Sequence, residues 1–163
     1  MVDYHQNEFK AFLVLEHAGD MTLEKFFTNH KASITLDRIK LLTKDLLNAV
    51  TFLHLHKVVH RDIKPDNIMI TLEPELRLKL IDFNIAHDLD EEPEIKGANG
   101  VRAWSAPETR KFINYDKSCD IWSVGCILHY LCSGKPPSDP LKLENAAERF
   151  SESHQRDLFI DLM

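Results

Sequence analysis

The stretch "VVHRDIKPDNIMI" (residues 58–70) places one aspartate, one lysine and one asparagine in a short loop between two apolar runs. Asp62, Lys64 and Asn67 follow each other at steps of two and three residues. Phosphoryl transfer needs a carboxylate that orients the attacking hydroxyl and accepts its proton, oxygen ligands for magnesium, and a cation near the transferred group. The loop contains a residue of each type, so it indicates phosphate chemistry.

A predicted β-hairpin follows this loop. The apolar runs 68–70 and 78–81 are separated by "TLEPEL" (71–76), whose proline favours a turn. Asp82 comes directly after the second run, so the hairpin would bring its carboxylate beside Asn67. Carboxylate and amide oxygens are hard ligands, which suit magnesium. Asn67 and Asp82 are therefore the candidate magnesium ligands.

Two helices are predicted before the loop. "TLEKFFTNH" (22–30) indicates a short helix with Thr22 as a candidate cap. "TLDRIKLLTKDLLNAVTFLHLH" (35–56) is the clearest helix of the chain, capped by Thr35 or Asp37. Its apolar side chains recur at steps of three and four and form one stripe, which consists of Leu36, Ile39, Leu42, Leu46, Val50 and Leu53.

The remaining segments complete a mostly helical body with a loop-rich face. "FKAFLVLE" (9–16) is typical of a buried strand, and "CDIWSVGCILHYL" (119–131) of a helix buried on every side. Residues 82–117 have weak periodicity, and a loop of that length is often functional. Residues 141–163 suggest two short amphipathic helices.

Composition limits the protein class and its partners. The 163 residues, without repeat or linker, indicate one continuous unit. A net charge of -6 gives no general attraction to nucleic acid or anionic membranes, and no apolar run approaches the roughly 20 residues of a membrane span. "MVDYHQNEFKAF" (1–12) lacks the pattern of a secretory signal. Three cysteines without CxxC spacing predict buried thiols in an intracellular compartment, the cytoplasm or nucleus.

Four motifs together resemble the signature set of the eukaryotic-type protein kinases: "HRDIKPDN" (60–67), "DFN" (82–84), "APE" (106–108) and "DIWSVG" (120–125). They occur in the family's order and spacing, and the resemblance runs from about residue 9 to the end of the chain. A lysine two residues after the aspartate, with proline next, resembles the serine/threonine branch. The resemblance implies a mainly α, α+β protein kinase-like fold, with a helical large lobe, a small β-hairpin and a mostly missing small lobe.

By this resemblance, residues 1–163 form a partial protein kinase domain. Its parts would be the hinge strand 9–16, the catalytic loop 60–67, the activation segment 82–108 and a helical platform 116–163. The implied function is a serine/threonine protein kinase that transfers the γ-phosphate of ATP to a protein hydroxyl with Mg2+. The expected partners are ATP and a protein substrate, without nucleic acid or membrane, and no oligomeric state is indicated.

The resemblance also implies a role for each site residue. Asp62 would be the catalytic base and Lys64 would contact the transferred phosphate, while Asn67 and Asp82 would hold magnesium. The adenine site would use Leu15 at its back, backbone groups of Glu16 and Ala18, and the side chains of Met69 and Ile81. The structural support would come from His60 and Arg61 in the catalytic loop, Asp120 beneath its backbone, and Glu108, which in the family pairs with an arginine beyond residue 163.

Ordinary structural alternatives remain open for several of these residues. Asp62 and Asn67 are also common turn residues, and Asp120 could be only a helix N-cap. Core packing alone would explain Leu15, Met69 and Ile81. The spacing of three histidines could suggest a metal site, although two of them end a helix: His54, His56 and His60.

Several departures from the family bear on activity. No Gly-rich loop and no strand lysine precede residues 9–16, so a catalytically deficient pseudokinase or a protein-docking module is the alternative function. Asn84 stands where the family has glycine; asparagine tolerates the left-handed region better than other non-glycine residues, so the turn stays accessible. Val101 replaces a threonine that would tether Asp62 and Lys64.

The activation segment suggests an unusual regulation. Residues 82–104 contain no Ser, Thr or Tyr, whereas residues 88–94 carry five acidic side chains. One of these carboxylates could replace the phosphate that Arg61 binds in related kinases. The alternative is a solvated acidic loop.

Overall fold

The computed structural model describes residues 3–97, 103–110 and 114–137. Within these residues it has three α-helices of 8, 20 and 16 residues, and seven strands of at most four residues. The helices are α1 (Leu23–His30), α2 (Leu36–Leu55) and α3 (Ser118–Ser133). The strands are β1 (Asp3–Gln6), β2 (Ala11–Val14), β3 (Met21–Thr22), β4 (Val58–Val59), β5 (Ile68–Thr71), β6 (Arg77–Leu80) and β7 (His87–Asp88). They form three antiparallel sheets, β1-β2, β3-β5-β6 and β4-β7.

Helix α2 forms where the apolar stripe predicted it. Thr35 is the N-cap, because its side chain accepts a hydrogen bond from the Arg38 N–H, and this decides between the two candidates. The central members of the stripe are buried, but Leu36 is 42% exposed. A 20-residue helix is about 30 Å long, so its first turn extends past the elements that cover its middle. The predicted cap of α1, Thr22, is also confirmed.

The main core lies between the three helices and the β5–β6 hairpin. Leu42, Leu46 and Val50 of α2 are at most 1% exposed. The Phe27 ring of α1 packs against Tyr130 of α3, with ring centroids 4.7 Å apart. Burying each such aliphatic side chain contributes roughly 1.5–3 kcal/mol, so this cluster contributes a large part of the stability of the fold.

The hairpin predicted at residues 68–81 is confirmed as β5 and β6, with Ile68 opposite Leu80 and Ile70 opposite Leu78. Ile68, Ile70 and Leu78 face the core. Strand β3 adds a third member to this sheet. Strand β3 was not predicted, because a strand of two residues is too short to show the alternation of apolar and polar side chains.

The prediction of a buried strand at residues 9–16 is correct for the strand and wrong for its burial. Strand β2 pairs only with β1, and all four of its residues are exposed. Phe9 is 89% exposed and Leu13 is 62% exposed. The apolar composition suggested a core position, but no other described element covers either face of this two-stranded sheet.

Helix α3 is also less buried than its composition predicted. Most of its side chains lie in the core, whereas Ile121 is 49% exposed and so contradicts burial on every side. The reason is that α3 packs against α2 on one side, and the described residues leave the Ile121 side uncovered. Of its cysteines, Cys119 and Cys126 are buried and Cys132 is partly buried, and these three described cysteines form no disulfide bond. The helices predicted within 141–163 lie outside the described residues.

The described helices include none with the length and apolar character that a membrane span requires.

Gly19 fixes how the chain approaches strand β5. A Cβ atom at this position would lie 2.9 Å from the Ile70 carbonyl oxygen and 3.1 Å from the Met69 Cβ. We expect Gly19→Ala to lower the free energy of unfolding by about 1–3 kcal/mol, because backbone atoms would have to move. Urea unfolding of the natural full-length protein measures this change.

Gly125→Ala is the matched control for Gly19→Ala. Among the described residues nothing lies within 4 Å of a Cβ atom at Gly125, which is inside α3. Alanine should stabilise the helix there by about 0.5–1 kcal/mol. Equal effects of the two substitutions would contradict the close approach at Gly19.

Candidate functional site

Three residues of the predicted catalytic loop (60–67), Asp62, Lys64 and Asn67, contact each other. Lys64 Nζ lies 2.6 Å from Asp62 Oδ2. Asn67 Nδ2 donates to the same Asp62 Oδ2 and to the Asp62 carbonyl oxygen, each at 2.9 Å. These contacts hold the Asp62 carboxylate in one orientation, so the three residues form a network rather than an ordinary turn.

The hairpin brings Asp82 to the same end of the sheet as Asn67. The Ile81 N–H donates to the Asn67 carbonyl oxygen at 2.9 Å, and Asp82 is the next residue. The Asn67 side chain is buried, and its Oδ1 takes part in neither bond to Asp62. This oxygen and the exposed Asp82 carboxylate are therefore the groups that could hold a metal ion.

The backbone turn after β6 has its positive φ at Asp82. Asp82 has φ 67°, whereas Asn84 is not among the described non-glycine residues with positive φ. Asp82 Oδ1 instead accepts a hydrogen bond from the Asn84 N–H at 3.4 Å. Aspartate also tolerates the left-handed region, because its short polar side chain can bond to the local backbone. The special conformation is thus at the candidate ligand itself.

Asp120 of α3 binds the backbone of the predicted catalytic loop. Its carboxylate is fully buried and accepts hydrogen bonds from the His60 N–H and the Arg61 N–H, each at 2.9 Å. The N-cap of α3 is Lys117, so the interpretation of Asp120 as only a helix cap is wrong. Arg61 has φ 67°, a conformation that needs such fixed partners.

His54 is the residue at this site that the sequence prediction missed. Its Nε2 lies 2.9 Å from Asp120 Oδ2, although the two residues are 66 positions apart. The histidine spacing had suggested only a possible metal site. Among the described residues, no group of three or more His, Cys, Asp or Glu side chains is placed to hold a metal ion.

His60 links the predicted catalytic loop to Ile81, the residue between β6 and Asp82. Its Nδ1 accepts a hydrogen bond from the Asp62 N–H at 3.2 Å, so Nε2 carries the proton and donates to the Ile81 carbonyl oxygen at 3.0 Å. Burial lowers the pKa of His60, against the opposing effects of the Ile81 bond and the charge of Asp120. The ring is therefore neutral, and it holds Asp62 and Ile81 in fixed relation.

The lowered pKa of His60 predicts a stability that depends on pH. Below about pH 6.5 the unfolded chain binds a proton at this ring more readily than the folded chain does, because the pKa is lower in the folded state. The free energy of unfolding should therefore fall as the pH falls below that value, by up to about 1.4 kcal/mol per pH unit. Urea unfolding between pH 7.5 and pH 5 tests this, in the natural full-length protein.

Two variants isolate the contribution of His60. His60→Gln cannot titrate and should lose this part of the pH slope. His56→Gln removes an exposed histidine whose described contacts are with Phe52, and it should keep the slope. Identical slopes in the unsubstituted protein and the His60 variant would contradict the prediction.

Residues 87–95 of the predicted activation segment (82–108) are fixed by backbone pairing. Strand β7 pairs with β4, and the buried Ile95 forms a bridge with Tyr115. Arg61 Nε donates to the Ile85 carbonyl oxygen at 2.6 Å. Glu94, in the acidic run, lies 2.8 Å from Lys96 Nζ, which lowers the pKa of its carboxyl. A phosphate-like role for this run stays a prediction.

The residues predicted for the adenine site lie around the β5–β6 hairpin. Glu16 lies 3.1 Å from Lys79 Nζ, and Lys79 is directly opposite Met69 across the two strands. Ala18 precedes the close approach of Gly19 to β5 and, like Met69 and Ile81, is partly buried, whereas Leu15 is 63% exposed. Their pocket role stays a prediction.

The "APE" segment lies against α3. Glu108 is partly buried in the short 3-10 helix Pro107–Arg110. Just before it, the Trp104 carbonyl oxygen accepts a hydrogen bond from Ser123 Oγ at 2.9 Å. This bond fixes the end of the activation segment on the helix that also carries Asp120. Val101 lies outside the described residues.

Comparisons with known proteins agree with this arrangement. Residues 1–159 match the family model of the protein kinase domain. A probable myosin light chain kinase of Dictyostelium discoideum is 44% identical over 101 residues, which cover 62% of this chain and 21% of that protein. The proteins named death-associated protein kinase 2 of Mus musculus and Homo sapiens are 33% identical over 137 residues, covering 83% of this chain and 37% of each relative.

The chain therefore spans well under half the length of these curated relatives. The match to the family model nevertheless covers nearly all of it, and the expected resemblance is confirmed. The chain belongs to the protein kinase domain family.

Proposed function

We propose that this chain is part of a serine/threonine protein kinase that transfers the γ-phosphate of ATP to a hydroxyl group of a protein. The observation that carries the proposal is the fixed Asp62 carboxylate, with Lys64 at 2.6 Å and Asn67 at 2.9 Å. A docking domain has no need for this network above a buried Asp120. Membership of the protein kinase domain family supports the same function.

Asp62 acts as the base in this proposal. Its carboxylate orients the attacking hydroxyl and accepts the proton as the bond to phosphorus forms. The Asn67 amide and the His60 ring keep the carboxylate and its backbone in place. The Lys64 ammonium group supplies positive charge where negative charge develops on the transferred group.

Asn67 and Asp82 would hold Mg2+. Both offer hard oxygens, and the Asn67 amide nitrogen is already bonded to Asp62, which leaves its oxygen for the metal. Two protein ligands fit a magnesium ion that takes its remaining ligands from phosphate and water. When bound, the ion neutralises charge on the phosphates. The residues present therefore fit the family's usual metal.

The finer parts of the proposal rest on sequence. The serine/threonine branch follows from Lys64 and Pro65 after Asp62. We propose residues 9–16 as the hinge strand, residues 60–67 as the catalytic loop and residues 82–108 as the activation segment. A protein substrate and an intracellular location belong to the same proposal.

A docking module is the second candidate function. The exposed apolar side chains of the β1–β2 hairpin favour it, among them Phe9 at 89% and Phe12 at 54% exposure. Exposed apolar surface of this kind is typical of an interface. In that case the catalytic-loop network would only stabilise the fold.

A transfer assay separates the two functions. The natural full-length protein is incubated with radiolabelled ATP, Mg2+ and casein as a general acceptor, and the labelled residues are identified by mass spectrometry. Phosphoserine or phosphothreonine supports the proposal. Phosphotyrosine would refute the branch, and no incorporation above a sample without enzyme would favour the docking module.

A further inference from the structure

Residues 15–20 connect β2 to β3, and this connection reaches the end of strand β5 at Asp20. The Asp20 N–H donates to the Ile70 carbonyl oxygen at 2.8 Å. Asp20 Oδ2 accepts a hydrogen bond from the Leu72 N–H at 3.1 Å. Asp20 therefore contacts the backbone at the end of β5 twice, once through its own main chain and once through its carboxylate.

The carboxylate continues the pairing of β3 with β5 by one step. These two strands pair only through Met21 opposite Ile70 and Thr22 opposite Met69. The Leu72 N–H lies beyond the end of that pairing, and the Asp20 carboxylate supplies its acceptor. The Leu72 side chain is partly buried against the main core, so its backbone is held on the other side as well. The Asp20 bond thus ties a connecting segment to a fixed point of the fold.

The same segment carries residues of the proposed adenine site. Glu16 and Ala18 precede Asp20 by four and two positions, and Met69 lies on β5 itself. A Cβ atom at Gly19, between Ala18 and Asp20, would lie 3.1 Å from the Met69 Cβ. Because Asp20 is the last residue before β3, its two bonds determine how closely this segment lies against β5.

We propose that Asp20 is a positioning residue for the adenine site: its bond to the Leu72 N–H holds residues 15–20 at a fixed distance from β5. The inference rests on the proposed function and adds to it a residue that acts through the segment it anchors. The side chain of the proposed base, Asp62, is held instead by other residues of the loop 60–67. Loss of the Asp20 bond should therefore raise KM for ATP and leave kcat nearly unchanged.

Asp45 provides a matched control on the other strand of the same hairpin. Its Oδ2 accepts a hydrogen bond from the Leu78 N–H at 3.3 Å, and its Oδ1 lies 3.7 Å from Arg77 Nη1. These described partners of the Asp45 side chain both belong to β6, which they hold to α2. Substitution of Asp45 thus reports the general effect of removing a carboxylate that accepts a backbone amide of the hairpin.

The experiment compares three variants of the natural full-length protein. Asp20→Ala should raise KM for ATP by about three- to tenfold and keep kcat within about twofold, because the Leu72 amide loses its acceptor. Asp20→Asn keeps an oxygen acceptor on a side chain of the same length, so its KM should stay within about twofold of the unsubstituted protein. Asp45→Ala should also keep KM within about twofold.

Two further measurements require no catalysis. The Leu72 amide should exchange its hydrogen faster in Asp20→Ala than in the unsubstituted protein, and at the original rate in Asp20→Asn. The Kd of ADP in the presence of Mg2+, measured by calorimetry, should rise in Asp20→Ala by about the same factor as KM. In Asp20→Asn and Asp45→Ala this Kd should stay within about twofold.

Several results would overturn the proposal. One is an Asp20→Asn variant that behaves like the alanine variant, and another is an equal rise of KM in Asp45→Ala. A fall in kcat as large as the rise in KM would show a general loss of structure, as would an Asp20→Ala variant that does not fold.

ADP binding separates this inference from the proposed function. The expected differences in ADP affinity without any phosphate transfer would refute the transfer activity alone. Transfer with equal KM and equal ADP affinity in all variants would refute the role of Asp20 alone. An unsubstituted protein that binds no ADP would refute both.

Discussion

Replacing Asp62 with asparagine is expected to lower kcat for phosphoryl transfer by about 10²–10⁴-fold in the natural full-length protein. The amide has nearly the same shape but cannot accept the proton of the attacking hydroxyl. The Lys64 and Asn67 donors can still bond to its remaining oxygen, because both contact a single carboxylate oxygen. The fold should therefore persist while the chemical step is lost. Steady-state kinetics and urea unfolding measure the two quantities separately.

Asp37→Asn is the control for this substitution. Asp37 is exposed in the first turn of α2 and lies far in sequence from residues 60–67. Replacing its carboxylate with an amide should therefore leave kcat unchanged. A value of kcat for the Asp62 variant within about threefold of the unsubstituted protein would exclude Asp62 as the base, since general bases contribute far more. A large fall in stability with the fall in kcat would instead indicate a structural role.

The sequence predicts the elements of this fold that carry long periodic patterns. The stripe from Ile39 to Val50 located α2, and local hydrogen-bond chemistry predicted the cap Thr22 of α1 and limited the cap of α2 to Thr35 or Asp37. The pairing of Asn67 with the end of β6 followed from the hairpin. These features depend on neighbours within a few residues, where pattern and propensity are informative.

What the sequence could not predict depends on distant contacts. Apolar composition suggested that residues 9–16 are buried, but burial depends on which elements cover a strand, and β2 has only β1. No local pattern in the sequence indicated the positive φ that the structure has at Asp82. The bond between His54 and Asp120 joins residues 66 positions apart, and no periodicity links them.

Asp120 connects these distant parts, and its truncation to alanine is expected to lower the free energy of unfolding by about 3–5 kcal/mol. The substitution leaves three donors without their acceptor in a fully buried site: His54 Nε2, His60 N and Arg61 N. That is a large share of a domain stability of about 5–15 kcal/mol. Urea unfolding of the natural full-length protein, followed by circular dichroism, measures the change.

Asp90→Ala is the matched control, because Asp90 is exposed in the acidic run after β7. An exposed carboxylate of this kind contributes at most about 0.5 kcal/mol. For Asp120→Asn, the loss of unfolding free energy should lie between the losses of the two alanine variants. The amide oxygen can still accept part of the hydrogen bonds, whereas the NH2 group would face another donor. A loss of unfolding free energy below about 1 kcal/mol for Asp120→Ala would contradict the network, because one ordinary hydrogen bond already contributes about that much. The catalytic loop would then hold its shape through its own contacts, and the buried carboxylate would not be its principal support.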